Sequence, residues 1–135
     1  MQGESLVDLV TAALEDMKGE AIRVIDVRGK TPLADYMVIA TGSSNRHVKS
    51  LADSVAIKAK QAGIAPLGVE GQDGQEWVLV DLNDVIVHVM LPRVRDFYNL
   101  EKLWLTDEIP EAALAEGEEA QGDAPSPAFL RRMRG

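Results

Sequence analysis

Two apolar runs within residues 76–91, joined by Asn83-Asp84, constrain the fold more than any other part of the chain. Both runs are rich in Val, joined by Trp in the first and Ile in the second; these residues suit a pleated strand, and an Asn-Asp pair tolerates the positive φ of a tight turn. The pattern predicts a β-hairpin with two antiparallel strands. Pro92 has no N–H for a sheet ladder, so the second strand should end there. Apolar residues then recur at helical spacing across 93–104, which predicts a helix after the hairpin.

The first third of the chain predicts a helix and two strands. Ser5 and Asp8 resemble a capping box, an apolar stripe at intervals of three and four residues follows them, and Gly19 is the expected stop. Residues 21–27 are short and β-branched. Residues 35–41 are nearly all apolar, as expected of a strand that is covered on both faces.

A second helix and a weaker strand fill the middle of the chain. Residues 42–45 form a strand-to-helix turn in which Ser43 or Ser44 can cap a helix that ends at Gly63. Residues 65–70 contain a proline and a glycine, so this strand is expected at a sheet edge. The complete order is helix, strand, strand, helix, strand, strand, strand, helix. It predicts an α/β fold with a mixed β-sheet of about five strands flanked by helices.

The last 30 residues differ from the rest in charge and apolar pattern. Residues 1–105 hold 15 acidic and 11 basic side chains, and residues 106–135 hold 7 acidic and 3 basic, so each part has a net charge of −4. The second part is rich in Ala, Glu, Gly and Pro and has no apolar period. We therefore predict one α/β domain over 1–105 and an acidic, disordered C-terminal tail over 106–135. The alternative for the apolar and basic end, 129–134, is a short docking element.

The composition excludes several classes of chemistry. With no cysteine and two histidines, the chain has no thiolate nucleophile, no sulfur-ligated metal and few ligands for zinc. We expect no metal and no cofactor. No run of about 18 apolar residues occurs, and the N-terminus lacks signal-peptide order, so we expect a cytoplasmic protein without a membrane partner. The net charge of −8 opposes non-specific binding to nucleic acid.

Catalytic groups are also missing from the expected places. The turn after the second strand lacks the motifs of a P-loop or a dinucleotide-binding fold, although it resembles the Gly-Ser opening of nucleotidyltransferases. Those enzymes hold two metal ions with paired carboxylates, whereas Asp53 stands alone on a helix and Asp81 and Asp84 flank a turn. Ser44 and His47 lie one helical turn apart but have no third group to complete a catalytic set. We predict no catalytic residues and no enzyme; the alternative is a nucleotide-binding or nucleotidyltransferase-like enzyme.

The sequence also suggests three kinds of contact with other molecules. The basic residues Arg46, His47 and Lys49 at the start of the second helix are candidates for an RNA or anion contact, and the alternative is an ordinary solvated helix face. The aromatic residues concentrate in the hairpin and the last helix, which favours either a surface that binds another molecule or a hydrophobic core. A third interpretation is a homodimer in which the hairpin edge pairs with itself.

Four segments, together with Gly63, resemble a known family. They are 35–48, 70–71, 76–90 and 95–104, which include Gly42-Ser43-Ser44-Asn45-Arg46-His47, Glu76-Trp77-Val78-Leu79-Val80-Asp81-Leu82 and Asn99-Leu100-Glu101-Lys102-Leu103-Trp104. In this order, across about residues 5–105, the chain is similar to the ribosomal silencing factor, or iojap, family. The resemblance implies a nucleotidyltransferase-like topology without the metal-binding carboxylates.

The resemblance also implies a partner and a mechanism. Members bind the large ribosomal subunit through its ribosomal protein number fourteen, block joining of the small subunit and repress translation in starvation or stationary phase. Contact with large-subunit ribosomal RNA, and a homodimer away from the ribosome, are further expectations. We expect partner contacts on the hairpin and the segment after it, at Trp77, Leu82, Asp84, His88, Met90, Tyr98, Leu100 and Trp104. For Trp77 and Trp104 the alternative is a place in the core.

A chain that ends at Leu105 is expected to keep its melting temperature within a few degrees. Residues 106–135 show no core pattern, and such a shift corresponds to under about 1 kcal/mol of stability. Thermal melting of the shortened and full chains measures the difference. A large drop would show that residues 129–133 dock onto the domain. Binding of the shortened chain to the large ribosomal subunit, which we expect to persist, is a separate result.

Overall fold

The computed structural model of the chain describes residues 3–32, 34–71 and 74–99. Within these ranges the elements follow the predicted order. They are α1 (Gly3–Asp16), β1 (Glu20–Asp26), β2 (Tyr36–Thr41), α2 (Asn45–Gln61), β3 (Gly68–Glu70), β4 (Trp77–Asp81), β5 (Val85–Met90) and α3 (Pro92–Tyr98). The predicted tail, 106–135, lies outside the described residues, as do the predicted contacts Leu100 and Trp104.

The five strands form one mixed sheet in the order β1-β2-β5-β4-β3. Two antiparallel pairs, β1 with β2 and β4 with β5, are joined by the parallel pair β2 and β5. The short strand β3 pairs with β4 and lies at an edge, as its Pro and Gly predicted. The prediction of a mixed α/β sheet of about five strands is confirmed. The hairpin is interior to the sheet, so the idea that its edge is free to pair with a second copy is wrong.

The turn of the β4–β5 hairpin forms as the sequence predicted. Asn83 takes a left-handed φ of 73°, and its backbone N–H donates to Oδ1 of Asp81 at 2.9 Å. The Leu82 N–H donates to the Val85 carbonyl at 2.9 Å, which closes the loop between the strands. An Asx-type bond of this kind supports a tight turn, because the side chain replaces a backbone partner. Asp81 therefore has a local structural contact at the turn.

Helix α1 departs from its predicted ends. It begins at Gly3, so Ser5 lies inside the helix and the predicted capping box is wrong. At the other end, the Gly19 N–H donates to the Leu14 carbonyl at 2.8 Å. The left-handed residue is Lys18, with φ of 63°, one position before the glycine. The Lys18 N–H also donates to the Glu15 carbonyl at 2.9 Å. The two bonds together match a Schellman motif, which satisfies carbonyls that the helix leaves unpaired.

Helix α2 starts and ends as predicted. Ser44 is the N-cap, and its Oγ accepts the His47 backbone N–H at 3.1 Å. Gly63 follows the helix with φ of 86°, a conformation that favours glycine. Its apolar face contacts the sheet and α1, and α1 also contacts the sheet, so the two helices cover the same side. The buried residues of α2 are Val48, Leu51, Ala52, Val55 and Ala59.

The core centres on β2, β4 and β5. Every residue of β5 is buried, and in β2 and β4 only the terminal residues Tyr36 and Asp81 are half-buried. Burial of successive residues means that both faces of these strands are covered, because side chains alternate across a strand. The sheet centre therefore presents almost no side chain to solvent.

Gly42 between β2 and α2 should not tolerate a side chain. A Cβ there would lie 2.8 Å from Cγ2 and 2.9 Å from the backbone N of Val48, so α2 would have to move. Such overpacking typically costs about 1–3 kcal/mol, and we expect Gly42→Ala to lose this much in chemical denaturation. Gly68→Ala is the matched control, since nothing lies within 4 Å of its Cβ position. Equal stability of the two variants would contradict this account of the turn.

Candidate partner-binding surface

Four of the predicted partner contacts are core residues. Trp77, His88 and Met90 are 0% exposed and Leu82 is 2% exposed. Their strands have neighbours on both sides in the sheet, and both faces are covered. The prediction that these side chains face a partner is therefore wrong for this structure, and the core alternative for Trp77 is right.

Trp77 and His88 form a buried polar pair on one face of the hairpin. The indole Nε1–H of Trp77 donates to Nδ1 of His88 at 2.9 Å, and the ring centroids are 5.8 Å apart. Because Nδ1 accepts, the neutral ring carries its proton on Nε2. That atom is buried and has no hydrogen-bond partner among the described residues. Burial lowers the pKa of His88 to about 3, so the ring is neutral near pH 7 and stabilises the core through the indole.

The exposed side of α3 is the part of this region that a partner can reach. Arg93, Asp96 and Phe97 are all exposed, at positions that share one side of a helix. Phe97 is 62% exposed, while Val94 on the other side is buried. Arg93 Nη2 lies 3.1 Å from Oε2 of Glu76, which connects α3 to the start of β4. We call Arg93, Asp96 and Phe97 the α3 surface.

Phe97 is not among the contacts that the sequence predicts. Its place in the apolar spacing of the last helix is equally compatible with a buried and with an exposed side chain. No local signal distinguishes the two places, because the spacing predicts a helix over 93–104, whereas α3 ends at Tyr98. Tyr98, a predicted contact, is the last residue of α3.

The predicted contact Asp84 lies at the opposite end of the sheet. It is half-buried in the hairpin turn, where its carbonyl accepts the N–H groups of Asp35 at 2.8 Å and Tyr36 at 3.1 Å. Strand β5 separates it from α3, and six strand residues span roughly 20 Å. The structure therefore does not bring Asp84 and the α3 surface together.

The predicted RNA or anion contact is only partly available. Lys49 Nζ is 2.7 Å from Oδ2 of Asp53. His47 bridges two elements: its Nδ1 accepts the Ser43 N–H at 2.9 Å and its Nε2 lies 2.8 Å from the Met17 carbonyl. Both ring nitrogens are thus engaged within the fold. Arg46 is exposed, but the structure does not place it together with His47 and Lys49 in one available cationic patch.

The Ser44 and His47 pair has a capping role. Ser44 Oγ accepts the His47 backbone N–H, whereas the imidazole Nδ1 lies 3.1 Å from Oγ of Ser43 and also accepts the Ser43 N–H. A nucleophile needs a base whose lone pair is free to take its proton. The arrangement favours a structural role for His47, which connects the end of α1 to the start of α2.

Carboxylates do not gather into a site in the described part of the chain. Within residues 3–32, 34–71 and 74–99, no group of three His, Cys, Asp or Glu side chains could hold a metal ion. Asp53 is paired with Lys49, and Asp81 supports the hairpin turn. Among the helices that the structure describes, none combines the length and the apolar character that crossing a membrane needs.

Comparisons with known proteins agree on one family. A family profile described as "Ribosomal silencing factor during starvation" matches residues 2–132. A relative from Chromobacterium violaceum, named Ribosomal silencing factor RsfS, is 51% identical over 104 residues, which are 77% of this chain and 85% of the relative. A mouse protein named Mitochondrial assembly of ribosomal large subunit protein 1 is 32% identical over 101 residues, covering 73% of this chain and 44% of that protein.

A solved structure shows the same fold. A crystal structure of a protein from Chromobacterium violaceum superposes with a TM-score of 0.76 at 51% sequence identity, over 77% of this chain and 87% of that one. At this identity the likeness extends beyond the fold to the family.

Acidification should destabilise the fold through His88. The pKa of an unfolded histidine is near 6.5, and burial lowers that of His88 to about 3, so the unfolded chain binds the proton first. Stability therefore falls as the pH drops below about 6.5 and levels off near the folded pKa. The loss is about 1.4 kcal/mol for each pH unit within that window. Urea denaturation at several pH values measures it.

The second histidine supplies the control. His88→Gln, which keeps an acceptor for the Trp77 indole, should lose this part of the pH dependence, and His47→Gln should retain it. Identical slopes for the parent and both variants between about pH 6.5 and 4.5 would contradict the assignment to His88.

Proposed function

This chain belongs to the ribosomal silencing factor family, and we propose that it binds the large ribosomal subunit through ribosomal protein number fourteen. Bound there, it blocks joining of the small subunit by occupying the surface that the small subunit needs. Translation in the cytoplasm is repressed while the factor is bound, as suits starvation or stationary phase. The mechanism is steric and needs no chemical step.

The α3 surface carries this proposal. It offers an exposed aromatic side chain, Phe97, on the same side of α3 as the charged residues Arg93 and Asp96. Aromatic residues are typical binding anchors. The net charge of −8 also suits a basic partner, because complementary charge speeds encounter with it. Arg46, exposed at the start of α2, is the residue we propose for any contact with ribosomal RNA.

A non-enzymatic role is supported by the use of the polar side chains. Asp53, Asp81 and His47 each have a structural partner within the fold. The names of the relatives also point to regulation and assembly of ribosomes. We therefore propose an adaptor that acts by occupancy, in preference to a nucleotidyl-transferring enzyme.

Subunit joining is the direct test of this function. The chain is first incubated with isolated large subunits, small subunits are added under conditions that favour joined ribosomes, and the mixture is separated on a density gradient. We expect the chain to sediment with free large subunits and the amount of joined ribosomes to fall. A chain that sediments equally with joined ribosomes, or that leaves joining unchanged, would contradict the steric mechanism.

Phe97→Ala should weaken binding to isolated ribosomal protein number fourteen with little change in melting temperature. An interface anchor is worth about 2 kcal/mol or more, which is roughly a 30-fold loss of affinity. Ile57→Ala is the matched control, since Ile57 is 53% exposed on α2, a different element. Isothermal titration calorimetry measures both. Equal affinities of the two variants would show that the α3 surface is not the interface.

Binding should not depend on Mg²⁺ or a nucleotide. We expect the same affinity for isolated ribosomal protein number fourteen with and without a chelator, because the proposed contact is between two protein surfaces. The isolated protein is the right probe, since removing Mg²⁺ would damage a whole subunit. Loss of binding in chelator, or a heat of binding with a nucleoside triphosphate and Mg²⁺, would favour the enzyme alternative.

A further inference from the structure

The α3 surface lies on a helix that is too short to be stable without contacts to the rest of the fold. Helix α3 has seven residues, and its N-cap Leu91 makes no side-chain capping bond. Helices of this length are marginal in water, because nucleation costs more than a few backbone bonds recover. Its position must come from contacts with the rest of the fold.

Arg95 makes such contacts with two other elements. Its Nη1 donates to the Ala21 carbonyl of β1 at 2.7 Å and to the Thr41 hydroxyl at the end of β2 at 2.8 Å. Arg95 is half-buried and Thr41 is 6% exposed, so the bond to Thr41 is partly shielded from water, whereas the bond to Ala21 lies at the exposed edge of the sheet. Hydrogen bonds from a charged group are stronger than neutral ones when water is excluded.

The Ala21 carbonyl is available because β1 is irregular at this point. The pairing register between β1 and β2 shifts between Glu20 and Arg23, and Ala21 takes a left-handed φ of 49°. A bulge leaves backbone groups outside the strand ladder and re-aims the chain locally. Arg95 thus joins α3 to a bulged edge strand and to the end of a central strand.

We propose that Arg95 is a positioning residue that sets the orientation of the α3 surface for partner binding. This inference rests on the proposed function and adds to it the residue that orders the interface before the partner arrives. Ordering a surface in advance reduces the entropy lost on binding. Both bonds leave one nitrogen, Nη1, whose N–H groups are fixed in the plane of the guanidinium fork, whereas a lysine ammonium does not reproduce that geometry.

The variants separate orientation from overall stability. Thr41→Val removes one acceptor of Arg95 at nearly constant size, and Thr41→Ser keeps the hydroxyl as the matched control. Arg95→Lys keeps the charge and loses the fork. Each protein is followed by thermal melting and by amide hydrogen exchange of α3, whose reporters include the Arg95 N–H, bonded to the Leu91 carbonyl, and the Asn99 N–H, bonded to the Arg95 carbonyl.

Amide hydrogen exchange tests the positioning role of Arg95 in the absence of any partner. We expect α3 amides to exchange about tenfold faster in Thr41→Val and Arg95→Lys, with amides of β4 and β5 unchanged and Thr41→Ser close to the parent. Unchanged exchange in α3 would overturn the inference. Faster exchange throughout the sheet, together with a lower melting temperature, would also overturn it, because Arg95 would then stabilise the whole fold.

Binding to isolated ribosomal protein number fourteen decides whether the orientation matters for function. We expect the affinity of Thr41→Val and Arg95→Lys to fall about tenfold, mainly through slower association, since α3 must first be ordered. If Phe97→Ala weakens binding and these two variants do not, the positioning inference is wrong. If the parent chain does not bind that protein at all, the proposed function fails, while the exchange measurement still supports or overturns the ordering of α3 by Arg95.

Discussion

The parallel pairing of β2 with β5 is the contact on which the rest of the structure depends. It joins two antiparallel pairs that are far apart in sequence, and its register runs without interruption from Tyr36 and Val85 to Thr41 and Met90. Parallel strands are stable only when both faces are covered, because their side chains read as a continuous apolar run. Helices α1 and α2 cover one of these faces, and the start of α2 depends on the turn at Gly42, where an added Cβ would clash with Val48.

Burial of the sheet centre explains why its polar side chains are structural. His88 Nδ1 accepts the Trp77 indole N–H in the core, and His88 stays neutral because charging it there would be costly. His47 and Asp81 likewise have partners that hold turns or join helices. In the described part of the chain, these polar groups stabilise the fold.

The α3 surface, which we propose as the partner-binding surface, lies on a helix that depends on contacts with other elements for its stability. Helix α3 is short, and its place on the sheet depends on buried Val94 and on Arg95, which reaches β1 and β2. Segments of low local stability are commonly the ones that bind and move. Arg95 thus connects the helix that carries the exposed Phe97 to β1 and β2.

Local patterns in the sequence determined the elements of this protein, and tertiary packing decided which residues are accessible. The hairpin turn at Asn83 and the α2 boundaries at Ser44 and Gly63 followed from backbone preferences of single residues, which act within a few positions. Alternation along β4 identified two faces but could not show that both are covered, so Trp77 was assigned to a surface although it lies in the core. Strand order, the distance of Asp84 from α3 and the contact of Arg95 with a bulge near Ala21 depend on residues far apart in the chain. Such contacts leave no periodic signal, because the energy that selects them comes from the burial of the whole sheet.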